Sequence, residues 1–117
     1  MSYTLDFNDY KKRYMTVILP DKKKTTLYIT SPTNALRKKL LEYVSEVEKL
    51  EGLSEVELAK TPIVDELYAL TAELMNRNKN NITVTQKQLL KLLDYEDVSV
   101  FLREYLRYLM GFETEKN

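Results

Sequence analysis

The sequence predicts an α+β domain, with an N-terminal antiparallel β-hairpin or three-stranded meander followed by a bundle of about four helices. Up to residue 30, apolar and polar residues alternate with the period of a half-buried strand. From Ser31 onward the apolar period changes to that of an amphipathic helix. Only two glycines and three prolines interrupt the 117 residues, so each of them is informative about an element boundary.

The predicted hairpin joins two segments rich in β-branched and aromatic residues, 13–19 and 25–30. The spacer between them, Pro20 to Lys24, is polar and contains turn-forming residues. Alternation gives the hairpin one face richer in aliphatic side chains, which we expect to meet the helices. A two-stranded hairpin alone is marginally stable, so it needs a helical cover or a third strand. The segment Tyr3 to Phe7 also alternates and is the candidate third strand.

Two of the predicted helices begin with proline in the first helical position, where its missing amide hydrogen has no intrahelical role. They begin at Ser31-Pro32 and at Thr61-Pro62, and each continues as an apolar helical stripe. Between them, Ser54 and Glu57 have the spacing of a capping box, which predicts one short helical turn.

Two further helices are predicted beyond the asparagine-rich loop at 76–81. Thr85 and Gln88 have capping-box spacing and begin a short helix. The last helix follows Asp94 and has the clearest amphipathic pattern in the chain. Gly111 is predicted to end it in the left-handed conformation that favours glycine.

Length and composition predict one domain over residues 1–112, with a β part at about 3–30 and a helical part at about 32–112. Residues 113–117 are predicted to be a disordered tail. No apolar run approaches the ~20 residues that cross a bilayer, and the first ten residues lack the pattern of a signal peptide. The chain contains no cysteine, which agrees with a reducing compartment. We therefore expect a cytoplasmic protein without a membrane partner.

The absence of histidine, cysteine and tryptophan removes many functions from consideration. No side chain titrates near neutral pH without a perturbed pKa, and no thiolate nucleophile or nitrogen and sulfur ligand set for zinc is present. The acidic clusters at 55–57 and 94–97 lie at helix starts, where carboxylates cap backbone amides. We therefore expect a non-enzymatic protein with no catalytic residues, no bound cofactor and no metal site.

Charge is distributed unevenly along the chain although its net value is zero. Residues 1–41 carry nine basic and three acidic residues, a net of +6, whereas residues 42–73 carry two basic and nine acidic residues, a net of −7. Such a split favours self-association or a partner of complementary charge, and salt weakens either contact. The alternative interpretation is that two faces are simply solvated.

Basic clusters near the hairpin suggest nucleic-acid binding as an alternative function, because lysines contact phosphates and interleaved tyrosines can stack on bases. The residues concerned are Lys11, Lys12, Arg13, Lys22, Lys23 and Lys24. The zero net charge disfavours this interpretation, since domains that bind nucleic acids are usually basic overall. Lysines at a hairpin tip also protect sheet edges against aggregation.

The order of segments resembles the small tail assembly chaperones of phages and prophages of Gram-positive bacteria. The resemblance depends on Tyr3 to Phe7, on the hairpin through Leu19 to Lys24 into Leu27 to Pro32, and on the helical remainder with its polar tail. It spans most of the chain and concerns layout and size, with no catalytic motif.

The resemblance implies a non-enzymatic protein in the cytoplasm of a bacterial host. Such a protein binds the long tape-measure protein, keeps its apolar helices from aggregating and helps to recruit tail-tube subunits. Proteins of this family are often also made in a longer form by a ribosomal frameshift.

A chaperone of this kind needs a groove for an amphipathic helix. We expect that groove between the last helix and the leucine-rich helix before it. Nine tyrosines support an interface, because tyrosine is enriched at binding hot spots. The predicted partner-binding residues are Leu92, Tyr95, Phe101, Tyr105 and Tyr108. The alternative is that most of them belong to the core.

Overall fold

The computed structural model describes residues 2–7, 13–50 and 52–111, with the side chain of residue 55 left out. The elements in chain order are β1 (Met15–Ile18), β2 (Thr26–Ile29), α1 (Asn34–Leu50), α2 (Glu55–Ala59), α3 (Pro62–Met75), α4 (Gln86–Leu92) and α5 (Tyr95–Leu109). The predicted α+β class and the N-terminal hairpin are confirmed. The described part of the chain contains five helices instead of about four, because the short turn at Ser54 forms a helix of its own.

The hairpin pairs β1 with β2 in antiparallel register, with Met15 opposite Ile29 and Ile18 opposite Thr26. The carboxylate of Asp21 closes the turn, because it accepts hydrogen bonds from both the hydroxyl and the backbone amide of Thr25, the latter at 2.8 Å. These two bonds hold the pKa of Asp21 below its usual range.

The predicted third strand is wrong for the described residues. The segment Tyr3 to Phe7 lies outside the sheet, which has two strands, β1 and β2. The hairpin is stabilised by its helical cover instead, since Leu27 and Ile29 are fully buried. The sequence left open whether a third strand or a helical cover stabilises the hairpin, and in the structure the helices do so.

Residues 77–80 occupy the second edge of β2. Thr30 donates its backbone N–H to the Arg77 carbonyl at 2.8 Å, and the Lys79 N–H donates to the Tyr28 carbonyl at 2.9 Å. The Asn80 carboxamide continues the pairing, because it accepts from the Tyr28 N–H at 3.2 Å and donates to the Thr26 carbonyl at 2.8 Å. A loop with one well-placed amide side chain therefore replaces a strand on this edge.

Two other asparagines fasten the same loop to the residues that follow it. The Asn76 side chain accepts from the Val84 N–H at 2.6 Å and donates to the Val84 carbonyl at 2.7 Å. Asn78 brackets Ile82 in the same way and also donates to the Met75 carbonyl at 2.8 Å. An amide side chain can both donate and accept, which is why asparagine suits all three positions.

Helix starts have reciprocal side-chain caps at three places, of which Ser54 and Thr85 have the predicted capping-box spacing. Reciprocal capping boxes form at Ser54, Thr85 and Asp94, each with the residue three positions later. The first long helix differs from prediction: α1 begins at Asn34, and the Thr33 hydroxyl accepts from the Leu36 amide at 3.2 Å. Ser31 is instead held outside the helix, because the Arg77 guanidinium donates to its carbonyl at 2.9 Å.

The core is organised around α3, in which seven of the fourteen residues are buried. This helix packs against α1, α2, α4, α5 and β2, so every layer of the molecule meets it. Tyr105 of α5 is fully buried and donates its hydroxyl to the Thr30 carbonyl at 2.9 Å, which joins the last helix to the end of the hairpin. Gly111 follows α5 with a φ of +84°, the predicted left-handed conformation.

We expect Tyr105→Phe to lower the free energy of unfolding by about 1–2 kcal/mol, because it leaves the Thr30 carbonyl without its donor. Burial raises the pKa of Tyr105, whereas tyrosine in the unfolded chain ionises near pH ~10. The folded state of the native protein therefore loses stability above that pH, and the variant lacks this contribution. Chemical denaturation should show the stability difference between the two proteins shrinking as pH rises through this range. A constant difference would contradict the burial effect, and Tyr28→Phe serves as the exposed control.

We expect Asn78→Asp to lower the free energy of unfolding by about 2 kcal/mol at neutral pH, because a carboxylate cannot donate to the Met75 and Ile82 carbonyls. Asn81→Asp is the matched control, since Asn81 is an exposed neighbour in the left-handed region, which aspartate tolerates. Urea unfolding of the three proteins measures the effect. Equal midpoints for the two variants would show that the amide contributes nothing.

Candidate functional site

A groove of about 500 Å³ lies between the first and last helices. Both helices pack against α3 and also contact each other. The apolar lining comes from Val44 and Val47 of α1 and from Leu102 and Leu106 of α5. We call this cleft the α1–α5 groove; its remaining lining residues are Glu48, Tyr95, Glu96, Ser99 and Arg103.

Helical periodicity explains why these residues share one cleft. Val44 and Val47 are three positions apart on α1, and their side chains therefore project from the same face. On α5 the lining residues Tyr95, Ser99, Leu102 and Leu106 repeat every three or four positions. With a rise of about 1.5 Å per residue, this stripe is ~16 Å long and extends over three turns.

Two hydroxyl oxygens of the α1–α5 groove lack hydrogen-bond partners. Tyr95 Oη and Ser99 Oγ are both buried, and neither has a partner among the described residues. A buried hydroxyl without a partner costs about 1–3 kcal/mol, so a bound group that supplied a partner would recover that free energy. The groove is therefore lined mainly by apolar side chains, with two buried hydroxyl oxygens in its wall.

The rim of the α1–α5 groove carries charge of both signs. Glu48 of α1 and Glu96 and Arg103 of α5 lie along it. Glu48 belongs to the acidic stretch 42–73. A partner with basic residues beside an apolar stripe would complement the two carboxylates.

The five residues predicted to bind a partner do not form one surface. Tyr95 lines the α1–α5 groove and shares a second pocket, beside α3 and α4, with Leu92. Leu92 and Phe101 line a third groove, between β1 and α5. Tyr105 is fully buried and stacks on Phe101 with ring centroids 5.7 Å apart. Tyr108 donates its hydroxyl to the Arg13 carbonyl at 2.8 Å. Only Tyr95 of the five therefore lies in the groove between the first and last helices.

The sequence predicts a groove between the last two helices, and a pocket lined by residues of both α4 and α5 is present there. The wall that α1 contributes to the α1–α5 groove is not predicted. Val44 and Val47 belong to the apolar stripe of α1. Similar stripes on the other helices are part of the core, so residue type alone does not distinguish a groove residue from a core residue. Ser99 did offer a signal, because it is a hydroxyl residue on the apolar face of the most amphipathic helix.

The predicted basic cluster is only partly described. Lys11 and Lys12 lie outside the described residues, as does the predicted tail at 113–117. Arg13 is engaged with the end of α5, because its guanidinium donates to the Tyr108 carbonyl at 2.7 Å and lies 4.6 Å from the centre of that ring. Lys22, Lys23 and Lys24 are exposed at the hairpin tip.

Two tyrosines point outward from the hairpin. The rings of Tyr14 and Tyr28 meet edge to face with centroids 5.1 Å apart, and both side chains are exposed. The Lys79 ammonium lies 4.5 Å from the centre of the Tyr14 ring. This face combines aromatic surface with positive charge, which suits stacking and phosphate contact.

The acidic residues considered for catalysis have structural roles. Asp94 and Asp97 cap the start of α5 reciprocally, and Ser54 holds the pKa of Glu57 below its usual range by hydrogen bonding within the α2 cap. Across the parts of the chain that the structure describes, no three acidic side chains assemble into a potential metal site. Among the same residues, no helix has both the length and the apolar character to traverse a bilayer.

Comparison with known proteins gives no relative: no protein-family model, no curated protein and no solved structure matches this chain. The geometry of the α1–α5 groove and of the hairpin face is therefore the basis for assigning a function.

Proposed function

We propose that this protein is a non-enzymatic phage tail assembly chaperone, which binds an amphipathic helix of the tape-measure protein in the α1–α5 groove. The observation that supports this most is the groove itself, with its three-turn apolar stripe and two buried hydroxyls lacking partners. The resemblance in segment order to tail assembly chaperones supplies the identity of the partner.

The length of the apolar stripe suits about three turns of one helix. A partner helix that contacts the stripe from Tyr95 to Leu106 would use about three turns, with anchors at every third or fourth residue. Bound there, it would pack against α1 and α5 together, at the 8–10 Å axial separations typical of helix pairs. A tape-measure protein is largely helical and exposes apolar stripes before the tail tube encloses it, so it offers segments of this kind.

The polar features of the groove specify the partner further. Tyr95 Oη and Ser99 Oγ have almost no exposed surface. A small rotation of either side chain on binding would bring its hydroxyl to an amide or hydroxyl group of the bound helix and supply the absent hydrogen bond. Lysine or arginine beside the stripe would lie near Glu48 and Glu96. Recruitment of tail-tube subunits in the host cytoplasm belongs to the same proposal.

A second candidate function is nucleic-acid binding through the hairpin face. The paired rings of Tyr14 and Tyr28, with Lys79 beside them, are the specific observation that favours it. The zero net charge of the chain and the engagement of Arg13 with Tyr108 argue against it. Binding of this kind would weaken steeply with salt and would depend on Tyr28.

We expect Val47→Glu to abolish capture of the tape-measure protein, because it places a carboxylate on the apolar floor of the α1–α5 groove. Leu41→Glu is the matched control, since Leu41 lies on the same helix but is 56% exposed and outside the groove. Co-expression with the tape-measure protein, followed by pull-down and sizing, measures the effect. Single-stranded and duplex DNA are parallel baits. Salt-sensitive retention on DNA alone, lost in Tyr28→Ala, would replace the chaperone proposal with the second candidate.

We expect Tyr95→Phe to have opposite effects on folding and binding. Removing a buried hydroxyl that has no partner should leave the stability of the free protein unchanged or slightly raised. The same change should weaken tape-measure binding about fivefold, which corresponds to ~1 kcal/mol for one lost hydrogen bond. Calorimetric titration and thermal unfolding provide the two measurements. Tyr43→Phe is the control, because the Tyr43 hydroxyl bonds to Glu66 away from the groove; equal binding by both variants would exclude a role for the Tyr95 hydroxyl.

A further inference from the structure

We propose that two copies of this chain pair through the outer edges of their β1 strands, antiparallel about a twofold axis at Thr16. The two hairpins then form one continuous sheet across the axis. The contact goes beyond the proposed function, because it uses a different surface from the α1–α5 groove and is tested without the tape-measure protein.

One edge of the described sheet is covered and the other is not. Residues 77–80 pair with the outer edge of β2, at Thr26 and Tyr28. The β1 residues opposite these two are Ile18 and Thr16, so their N–H and C=O groups point away from β2. Among the described residues, no backbone group pairs with that side of β1. An unpaired edge of this kind is a template for another strand.

The sequence of the β1 edge contains none of the usual protection against strand addition. Residues 14–19 are uncharged, include no proline and are rich in β-branched and aromatic types. Two of their large side chains are exposed, Ile18 by 61% and Tyr14 by 45%. A strand of this composition is expected to be covered by another strand in the working protein.

An antiparallel register centred on Thr16 makes the edge complementary to itself. Thr16 lies opposite Thr16 of the second copy, and the outward N–H and C=O groups of each bind those of the other. Ile18 of each copy then lies opposite Tyr14 of the other, on the face of the sheet where both are exposed. Symmetry produces this aromatic–aliphatic pair twice. Pro20 is the next outward position and has no N–H, so the paired stretch ends there.

The groove of about 440 Å³ between β1 and α5 favours a second copy over another peptide strand. Tyr108 in the last turn of α5 binds Arg13 just before β1, and earlier turns line the groove along the strand. Glu104, which lines this groove, therefore lies toward the start of β1. Antiparallel pairing brings the lysine tip of the second copy, residues 22–24, to that same end, where the opposite charges attract.

Pairing through β1 leaves the α1–α5 groove open. Leu102 and Leu106 line that groove, whereas Val100 and Glu104 line the groove beside β1. Residues two positions apart on a helix project about 200° apart, so Val100 and Leu102 lie on opposite faces of α5. Each dimer therefore presents two α1–α5 grooves.

The first test is the mass of the full chain as a function of concentration, by analytical ultracentrifugation. We expect a reversible monomer–dimer equilibrium that Ile18→Glu weakens by about tenfold or more, because symmetry removes one isoleucine from each half of the contact. Leu41→Glu is the matched control, since Leu41 is similarly exposed on α1, and it should associate like the native chain. Thermal unfolding of the dilute proteins checks that both variants fold. A monomer at every concentration, or association that Ile18→Glu leaves unchanged, would overturn the proposal.

The second test locates the twofold axis by disulfide crosslinking. The native chain has no cysteine, so Thr16→Cys carries a single thiol. With oxidised glutathione as the oxidant, this variant should form a disulfide-linked dimer, because the Cα atoms of opposite residues in a hydrogen-bonded pair are about 5.5 Å apart. Thr26→Cys is the matched control, since it lies one strand further from the axis and its two copies would be about 14 Å apart. Crosslinking of Thr16→Cys no faster than that of Thr26→Cys would overturn the proposal.

Discussion

The rest of the structure depends on the contacts that strand β2 makes on its inner face, along its free edge and at its end. A two-stranded hairpin has too little buried surface to be stable alone. Here Leu27 and Ile29 turn inward to the helices, residues 77–80 pair with the outer edge, and the Tyr105 hydroxyl binds the carbonyl at the strand's end. Removing any of these contacts leaves backbone groups or apolar surface exposed, so the hairpin and the helices fold as one cooperative unit.

Among the described elements α3 buries the most residues, and the first helix is left with incomplete neighbours. α1 buries two of its seventeen residues and packs against α3 and α5. The cleft that results is lined by valines and leucines, although an ideal single-chain core would fill it. The two buried hydroxyls without hydrogen-bond partners in this cleft agree with a surface to which another molecule binds.

Features determined by neighbouring residues could be predicted from the sequence, and features determined by distant residues could not. The capping boxes at Ser54, Thr85 and Asp94 depend on residues three positions apart, and all three form. The segment at Tyr3 has the alternation of a strand, but alternation does not say which edge is open to it. Likewise Tyr95 and Ser99 lie on a predicted face, while the opposing wall from α1 depends on packing of segments about fifty residues apart. Tyr105, predicted as a partner contact, illustrates that an aromatic on an apolar stripe is more often core.

The contacts that complete the hairpin come from far along the chain, which has a consequence for folding during synthesis. Thr30 binds Arg77 from 47 residues away and Tyr105 from 75 residues away, while Arg13 meets Tyr108 across 95 residues. The capping boxes need no such distant partner, because each joins residues three positions apart. The strands are made first but acquire their last partners from α5, near the end of the chain. Translation therefore delivers the residues of both strands well before α5, so the hairpin acquires its complete set of contacts only when α5 has emerged.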